Sequence, residues 1–459
     1  MNRLKKLGVL SGVLIIACVA ALVALHTNEK QEEIKTNGET VLSVEPDSVT
    51  ALSWTYDETT LSFHRDDVWQ YDDDAEFPVS DSSMDTLLEE FQDFAATFTI
   101  ENADDLSQYG LDEPVCTITL TADDQTYTVK LGDYSTMDSQ RYVDIGDGNV
   151  YLAASDPLDT YDVELKDLIA NDSVPEFDAI NQIAFSGDSD VVAAYDEDAK
   201  SLCADDAYFT SDGQPFDTSR LSSYISALDN LKLTEYVTYK ATDEDLSTYG
   251  LDNPELTISI DYTDDETSET FVLYISRDPE ELKAAADGDT DADSEDTSDI
   301  TAYARVGDSK IIYLIAGSSY KSLMAASYDD LRHQEIFSGD FEEVTAIDVT
   351  LDGNTSTLTL QEDGSEQKWL YQEQEIDIDD LQDALQSLTA GEFTDEEATG
   401  QQEISLTLHL DNEDYPELTI TLYRYDGTTC LAVVDGTSVA YIPRSEAVEL
   451  MEAVRAIIL

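Results

Sequence analysis

The chain has 459 residues, 41% of them hydrophobic, with 101 Asp+Glu against 23 Lys+Arg and a formal net charge of −78. That length exceeds what one core can organise and calls for two or three domains. The charge repels nucleic acid and anionic lipid and favours cations and basic partners, so no nucleic-acid partner is expected.

The first element is a targeting segment. MNRLKK carries Arg3, Lys5 and Lys6, and an uncharged run follows from Leu7 to Leu25. Such a run, as a helix, rises about 28 Å, close to the hydrocarbon thickness of a bilayer. Residues 1–30 are therefore read as a cytoplasmic stub and transmembrane anchor. Basic residues before the span and acidic ones after it put the bulk of the chain outside the cell membrane, as a single-pass surface protein. IIAC, ending at Cys18, resembles a lipobox; apolar residues continue through Leu25, which favours an uncleaved anchor over acylation at Cys18.

Next comes a domain-sized pattern, written three times. VTALSW at Val49, INQIAF at Ile180 and VTAIDV at Val344 are alternating strands, each followed by a second strand candidate. A helical stripe comes next in each copy. It reads Met84, Leu87, Leu88, Phe91, then Leu221, Tyr224, Ile225, Leu228, then Leu381, Ala384, Leu385, Leu388. Ser80, Asp217 and Asp377 stand where N-caps belong. An antiparallel meander closes each copy, with Gly-Asp or Asp-Gly at a hairpin turn. The expected fold class is α+β: tandem repeated domains, each an antiparallel sheet with one main packed helix. Their expected bounds are 40–176, 177–340 and a divergent 341–459. DVELKDLIANDSVPEF and YDDLRHQEIFSGDF read as short helices or turns between copies. An insert near 278–300, small and acidic, reads as a disordered loop. The final SEAVELMEAVRAII reads as a helix with Val448, Met451, Val454 and Ile458 on its apolar stripe.

DLSQYGLDEPVCTITL at Asp105 and DLSTYGLDNPELTISI at Asp245 share ten of sixteen positions. Read physically, each is a helix stop. Gly110 or Gly250 takes positive φ, Leu111 or Leu251 follows at the Schellman contact position, and Pro114 or Pro254 opens a strand. Tyr109 and Tyr249 are expected to pack on the sheet; a paired binding loop around Asp112 and Asp252 is the alternative. Gly400 survives in the third copy without its Tyr, Leu or Pro neighbours. A helix, Tyr-Gly-Leu-Asp-x-Pro, then strands ending Y-V-x-I-G-D-x-x-V-Y-L resemble the bacterial family called domain of unknown function 4340. The resemblance implies a surface-anchored protein, some of whose relatives accompany ABC-type transport systems related to gliding-motility components. It implies no catalytic residues.

A search for chemistry finds little. Histidines are four, His26, His64, His333 and His409, at unrelated places in the copies. Cys116, Cys203 and Cys430 form no disulfide framework. Asp289, Asp291 and Asp293 have calcium-loop spacing, but Ser294 and Ile300 stand where glycine and glutamate are needed. No cofactor, no metal and no catalytic residue is expected. Trp54, Tyr56, Trp69 and Tyr71 are the candidate binding residues, because exposed aromatics stack on sugars; core packing is their commoner fate. The expected function is that of a non-catalytic accessory or scaffold protein, with a protein partner such as an ABC permease. A glycan- or cell-wall-binding module and an extracellular hydrolase are the alternatives.

Overall fold

The computed structural model describes residues 38–187, 190–203, 206, 209–264, 267–286, 300–363 and 366–459. The anchor expected over residues 1–30 and the calcium-like aspartates lie outside them. No helix among the described residues is long and apolar enough to cross a membrane.

Period-two patterning builds most of the chain. In Cys116–Ala122 every second side chain is buried, leaving the threonines between them half-exposed. The result is α+β: three mostly antiparallel sheets of nine strands, drawn from residues 39–153, 179–315 and 344–443. The three sheets are organised alike. Val49–Tyr56 runs between Thr59–Arg65 and Cys116–Ala122. Ala179–Gly187 runs between Val191–Tyr195 and Leu256–Asp264. Val344–Leu351 runs between Asn354–Asp363 and Gln402–Leu410.

Each of these central strands carries a register shift near its start, between Val49 and Ala51, Ile180 and Gln182, and Val344 and Ala346. A bulge leaves one residue unpaired and re-aims its side chain. Here Thr50 and Thr345 donate to the carbonyls of Thr121 and His409, and Asn181 donates to the Thr263 hydroxyl.

A helix at the equivalent place covers each sheet: Asp81–Glu89, Thr218–Asp229 and Asp379–Gln386. Their stripes are buried as expected, apart from half-buried Ile225. Ser80 accepts from the Ser83 amide at 3.2 Å, and Asp217 accepts from the Ser219 and Arg220 amides at 2.8 and 3.2 Å. Asp377 departs from expectation. Ile378 occupies the cap position, and the Asp377 carboxylate accepts from the Asp379 amide one residue early. Asp435 and Gly436, with φ of 47° and 80°, make the two-residue turn between Thr429–Val434 and Thr437–Pro443.

Three expectations need correction. The insert opens with a helix, Pro279–Ala286, because Asp278 caps the Glu280 amide at 2.9 Å and Pro279 suits a first turn; residues 287–299 lie outside the described set. The final helix, Arg444–Ile458, packs a wider face than expected: Met451 and Val454 are buried and Val448 and Ile458 pack partly buried on the third core, and Ala447, Leu450 and Ala453 are buried beside them. The third core also begins before residue 341. Ile336 and Phe337 belong to it, tied by the Ile336 amide to the Leu388 carbonyl at 2.9 Å.

Two compact units follow. One reaches Asp172 and includes Thr234–Ala241; the other comprises Ser173–Leu233 and Thr242–Leu459. In the first, Asp74 accepts from Lys240 at 2.6 Å and Tyr239 at 2.8 Å, which fastens the 234–241 segment to its unit. The second repeat, apart from Thr234–Ala241, therefore shares one unit with the third.

Candidate functional site

The repeated motif is structural in its geometry. Asp243–Thr248 is a helix ending at Gly250, φ 72°, whose amide donates to Ser247 at 3.4 Å, while the Leu251 amide donates to Leu246 at 2.7 Å. Those paired bonds are the Schellman motif. In the first copy Leu106–Tyr109 is a 3-10 turn ending at Gly110, φ 68°, with the Leu111 amide on Leu106 at 3.1 Å. Leu111 and Leu251 are buried, and Pro114 and Pro254 are half-buried just before the next strand. Tyr109 packs on Tyr142 with ring centroids 4.9 Å apart, and Tyr249 on Tyr303 at 4.7 Å. Asp112 and Asp252 point to solvent.

The aromatic candidates form core rather than a platform. Trp54, Trp69 and Tyr71 are buried, and Tyr56 is half-buried. Trp54 stacks on Phe63 at 5.7 Å and meets Tyr161 edge-on, while Tyr71 leans on Phe63 and Phe77. Paired strands leave only one face for each side chain, and in the first repeat that face looks at the helix.

The three described histidines each meet a carboxylate. His64 Nδ1 lies 2.5 Å from Asp72, and His409 Nε2 lies 3.0 Å from Asp348; both pairs are substantially exposed. Exposed pairs of this kind contribute little. His333 is different. Its ring is 19% exposed and sits in the connector between the second and third repeats, just after the short helix Tyr328–Leu331.

His333 Nε2 is 2.8 Å from Asp206 Oδ2, and Nδ1 is 3.5 Å from Asp217 Oδ2 and 3.8 Å from Glu335. Asp206 is itself held: Ser201 Oγ donates to Oδ2, and the Thr218 amide donates to Oδ1 at 3.2 Å. Burial pushes the Asp206 carboxyl up, but hydrogen bonds from His333, Ser201 and the Thr218 amide hold it below its ordinary value. The hydrogen bond to Asp206 raises His333 above the ordinary imidazole value, against the opposing effect of burial. Cys203 precedes Asp206 by three residues, and the Asp206 amide donates to the Cys203 carbonyl at 3.1 Å.

Ligand-capable atoms of Cys203, Asp206 and His333 lie within 4.8 Å of one another, as do those of Asp217, His333 and Glu335. A cavity of about 420 Å³ opens on them, bounded also by Phe337, Ser338 and Gln386. A wider cleft of about 870 Å³ runs along the other side of His333, past Tyr328, Arg332 and Phe393. Arg332 lies over the Phe393 ring at 4.2 Å and over Tyr328 at 5.1 Å.

This cluster escaped the sequence reading because its members come from three separated segments. The available signal was Cys203-x-x-Asp206, a pair at metal-ligand spacing, with a histidine in a linker.

Comparison with known proteins places the chain. No curated protein and no solved structure matches it. The family model described as "Domain of unknown function (DUF4340)" matches residues 69–202 and 208–405. Those segments take in both Tyr-Gly-Leu-Asp-x-Pro motifs and most of the chain, so this protein belongs to the DUF4340 family.

Proposed function

We propose that the protein is an extracytoplasmic accessory or scaffold subunit, tethered to the membrane by its N-terminal segment, that acts by binding a membrane transport assembly rather than by catalysis. One observation carries the reading: what repeats builds the fold, and the histidine–carboxylate contacts do not repeat. The pairing of the central strand with its two neighbours, its bulge and the helical stripe recur in all three copies. The histidine–carboxylate contacts fall on different elements in each copy, His64 beside Asp72, His333 beside Asp206 and His409 beside Asp348. Repetition of a fold multiplies surfaces and edges suited to protein partners. The net charge of −78 favours a partner with basic extracellular loops. Burial of Trp54 and Trp69 counts against a glycan shelf at those residues.

Co-purification tests it. A C-terminal tag, gentle solubilisation of native membranes and identification of stoichiometric partners should return a permease and its ATPase. Recovery of the protein alone in several detergents overturns the reading and brings hydrolase and glycan-binding assays forward.

A further inference from the structure

We propose that Cys203, Asp206 and His333 bind a divalent transition metal of the zinc class, with Asp217 and Glu335 orienting the histidine from behind. The site stands apart from the accessory reading and survives its failure.

Donor chemistry comes first. A thiolate, an imidazole and a carboxylate together suit zinc and cobalt; calcium and magnesium take oxygen donors. Zinc bonds of about 2.0–2.3 Å put tetrahedral donors roughly 3.3–3.8 Å apart. The three donor atoms already lie within 4.8 Å of one another, and the His333–Asp206 pair is at 2.8 Å. The His333–Asp206 pair must open by about 0.5 Å to admit a metal between its atoms.

The supporting shell is built for this use. Cys203 and Asp206 are three residues apart in the chain, the Asp206 amide donates to the Cys203 carbonyl at 3.1 Å, and the Cys203 amide is held on Ser201 Oγ at 3.3 Å. The Thr218 amide occupies Asp206 Oδ1, and Oδ2 is shared between the imidazole and the Ser201 hydroxyl, so a metal on Oδ2 takes the place of the direct contact with His333. Metal-bound histidines usually donate their second nitrogen to a carboxylate, which fixes the tautomer. His333 Nδ1 faces two carboxylates, and Asp217 is immobilised by capping the helix Thr218–Asp229. The converse arrangement, with the metal on Nδ1, is weaker: Asp217 Oδ1 is committed to the helix amides, Arg220 lies 3.5 Å from Oδ2, and Glu335 is half-exposed.

Among the described residues bounding the cavity none is Lys or Arg, and the Arg220 guanidinium reaches Asp217 rather than Cys203 or Asp206. The cavity supplies a fourth position, for water or an incoming donor. Binding displaces the proton from the thiol and from Nε2 to solvent, and the metal stays divalent throughout.

The test uses the full-length chain in detergent, stripped with a chelator and titrated with Co²⁺ alone. Expected is one cobalt per chain, with a thiolate-to-cobalt charge-transfer band and visible bands of four-coordinate cobalt, both abolished by Zn²⁺. Cys203→Ser should remove the charge-transfer band, and His333→Gln should weaken binding by more than the ~10–100-fold typical of an outer-shell change. Asp217→Asn keeps a competent helix cap while removing the charge behind Nδ1, and should weaken binding ~10–100-fold with the band retained. His409→Gln should change nothing. Should Cys203→Ser fail to fold by circular dichroism, Asp217→Asn and the wild-type spectrum still decide. Absence of a thiolate band in folded wild-type protein overturns the site. So does binding that both Asp217→Asn and His333→Gln leave unaltered.

Discussion

Asp74 shows how a single residue's surroundings set its chemistry. The hydrogen bond from Lys240 leads, joined by those from Tyr239 and the Glu76 amide, and the carboxyl is held at about 2, below its ordinary 3.8. A depressed carboxyl stabilises the folded state above its ordinary value, and that contribution is lost as pH falls through the folded one. The tie between Asp74 and the 234–241 segment should therefore be intact at pH 5 and weaken only as pH falls toward about 2. Carboxyl-carbon NMR titration should show Asp74 as a late-titrating group, and Lys240→Met should move its midpoint up. A midpoint near 3.8 in the parent protein would remove this account. At the same scale, Cys116 and Cys430 are buried thiols pushed up to about 12, by desolvation first in each case. Cys116 packs as a small hydrophobe, and the Cys430 thiol also donates to Glu403 Oε2 at 3.5 Å.

Elements begin and end where local chemistry demands. At Gly250 the chain has positive φ, and an added Cβ would stand 2.7 Å from Ser276 Oγ and 3.2 Å from Pro279. Gly250→Ala should cost about 1–2 kcal/mol from the left-handed backbone alone, and more from the displaced serine. Hydrogen exchange at the Leu251 amide should accelerate with it, since that amide closes the Schellman motif on Leu246. Gly146→Ala is the comparison. Its φ is 84° with no atom near an added Cβ, so it isolates the backbone cost. Equal losses at both sites would mean the close approach contributes nothing. In the third copy Gly400 serves another purpose: its Cβ would lie 1.9 Å from the Arg424 carbonyl oxygen, so close backbone approach requires it. The glycine persists there although the rest of the motif has gone.

For the whole molecule, a formal charge of −78 is a standing repulsion within the folded state. Raising ionic strength from 0.01 to 0.15 M shortens the Debye length from ~30 to ~8 Å. Melting temperature should rise over that range, with neutral sucrose at matched osmolality as the control. A melting temperature that falls with salt would show that favourable pairs, such as Asp74–Lys240 and Arg141–Asp156, outweigh the repulsion. The two compact units also cut across the three-fold repeat, since the second repeat, apart from Thr234–Ala241, shares one of them with the third.

The sequence by itself determined the repeat, the helical stripes, the hairpin turns and the role of Tyr-Gly-Leu-Asp as a helix stop. The stripes, turns and helix stop follow from residues within about seven positions of one another, where the 3.6- and 2-residue periods and turn chemistry act, and the repeat follows from the recurrence of those local patterns along the chain. It could not say which face of a strand meets a core, so Trp54 and Trp69 stayed open until the sheet closed over them. Nor could it join Cys203 and Asp206 to a histidine 127 positions beyond the aspartate. That meeting is decided by how the connector after Tyr328–Leu331 packs against the cap of Thr218–Asp229, a long-range contact that carries no local period.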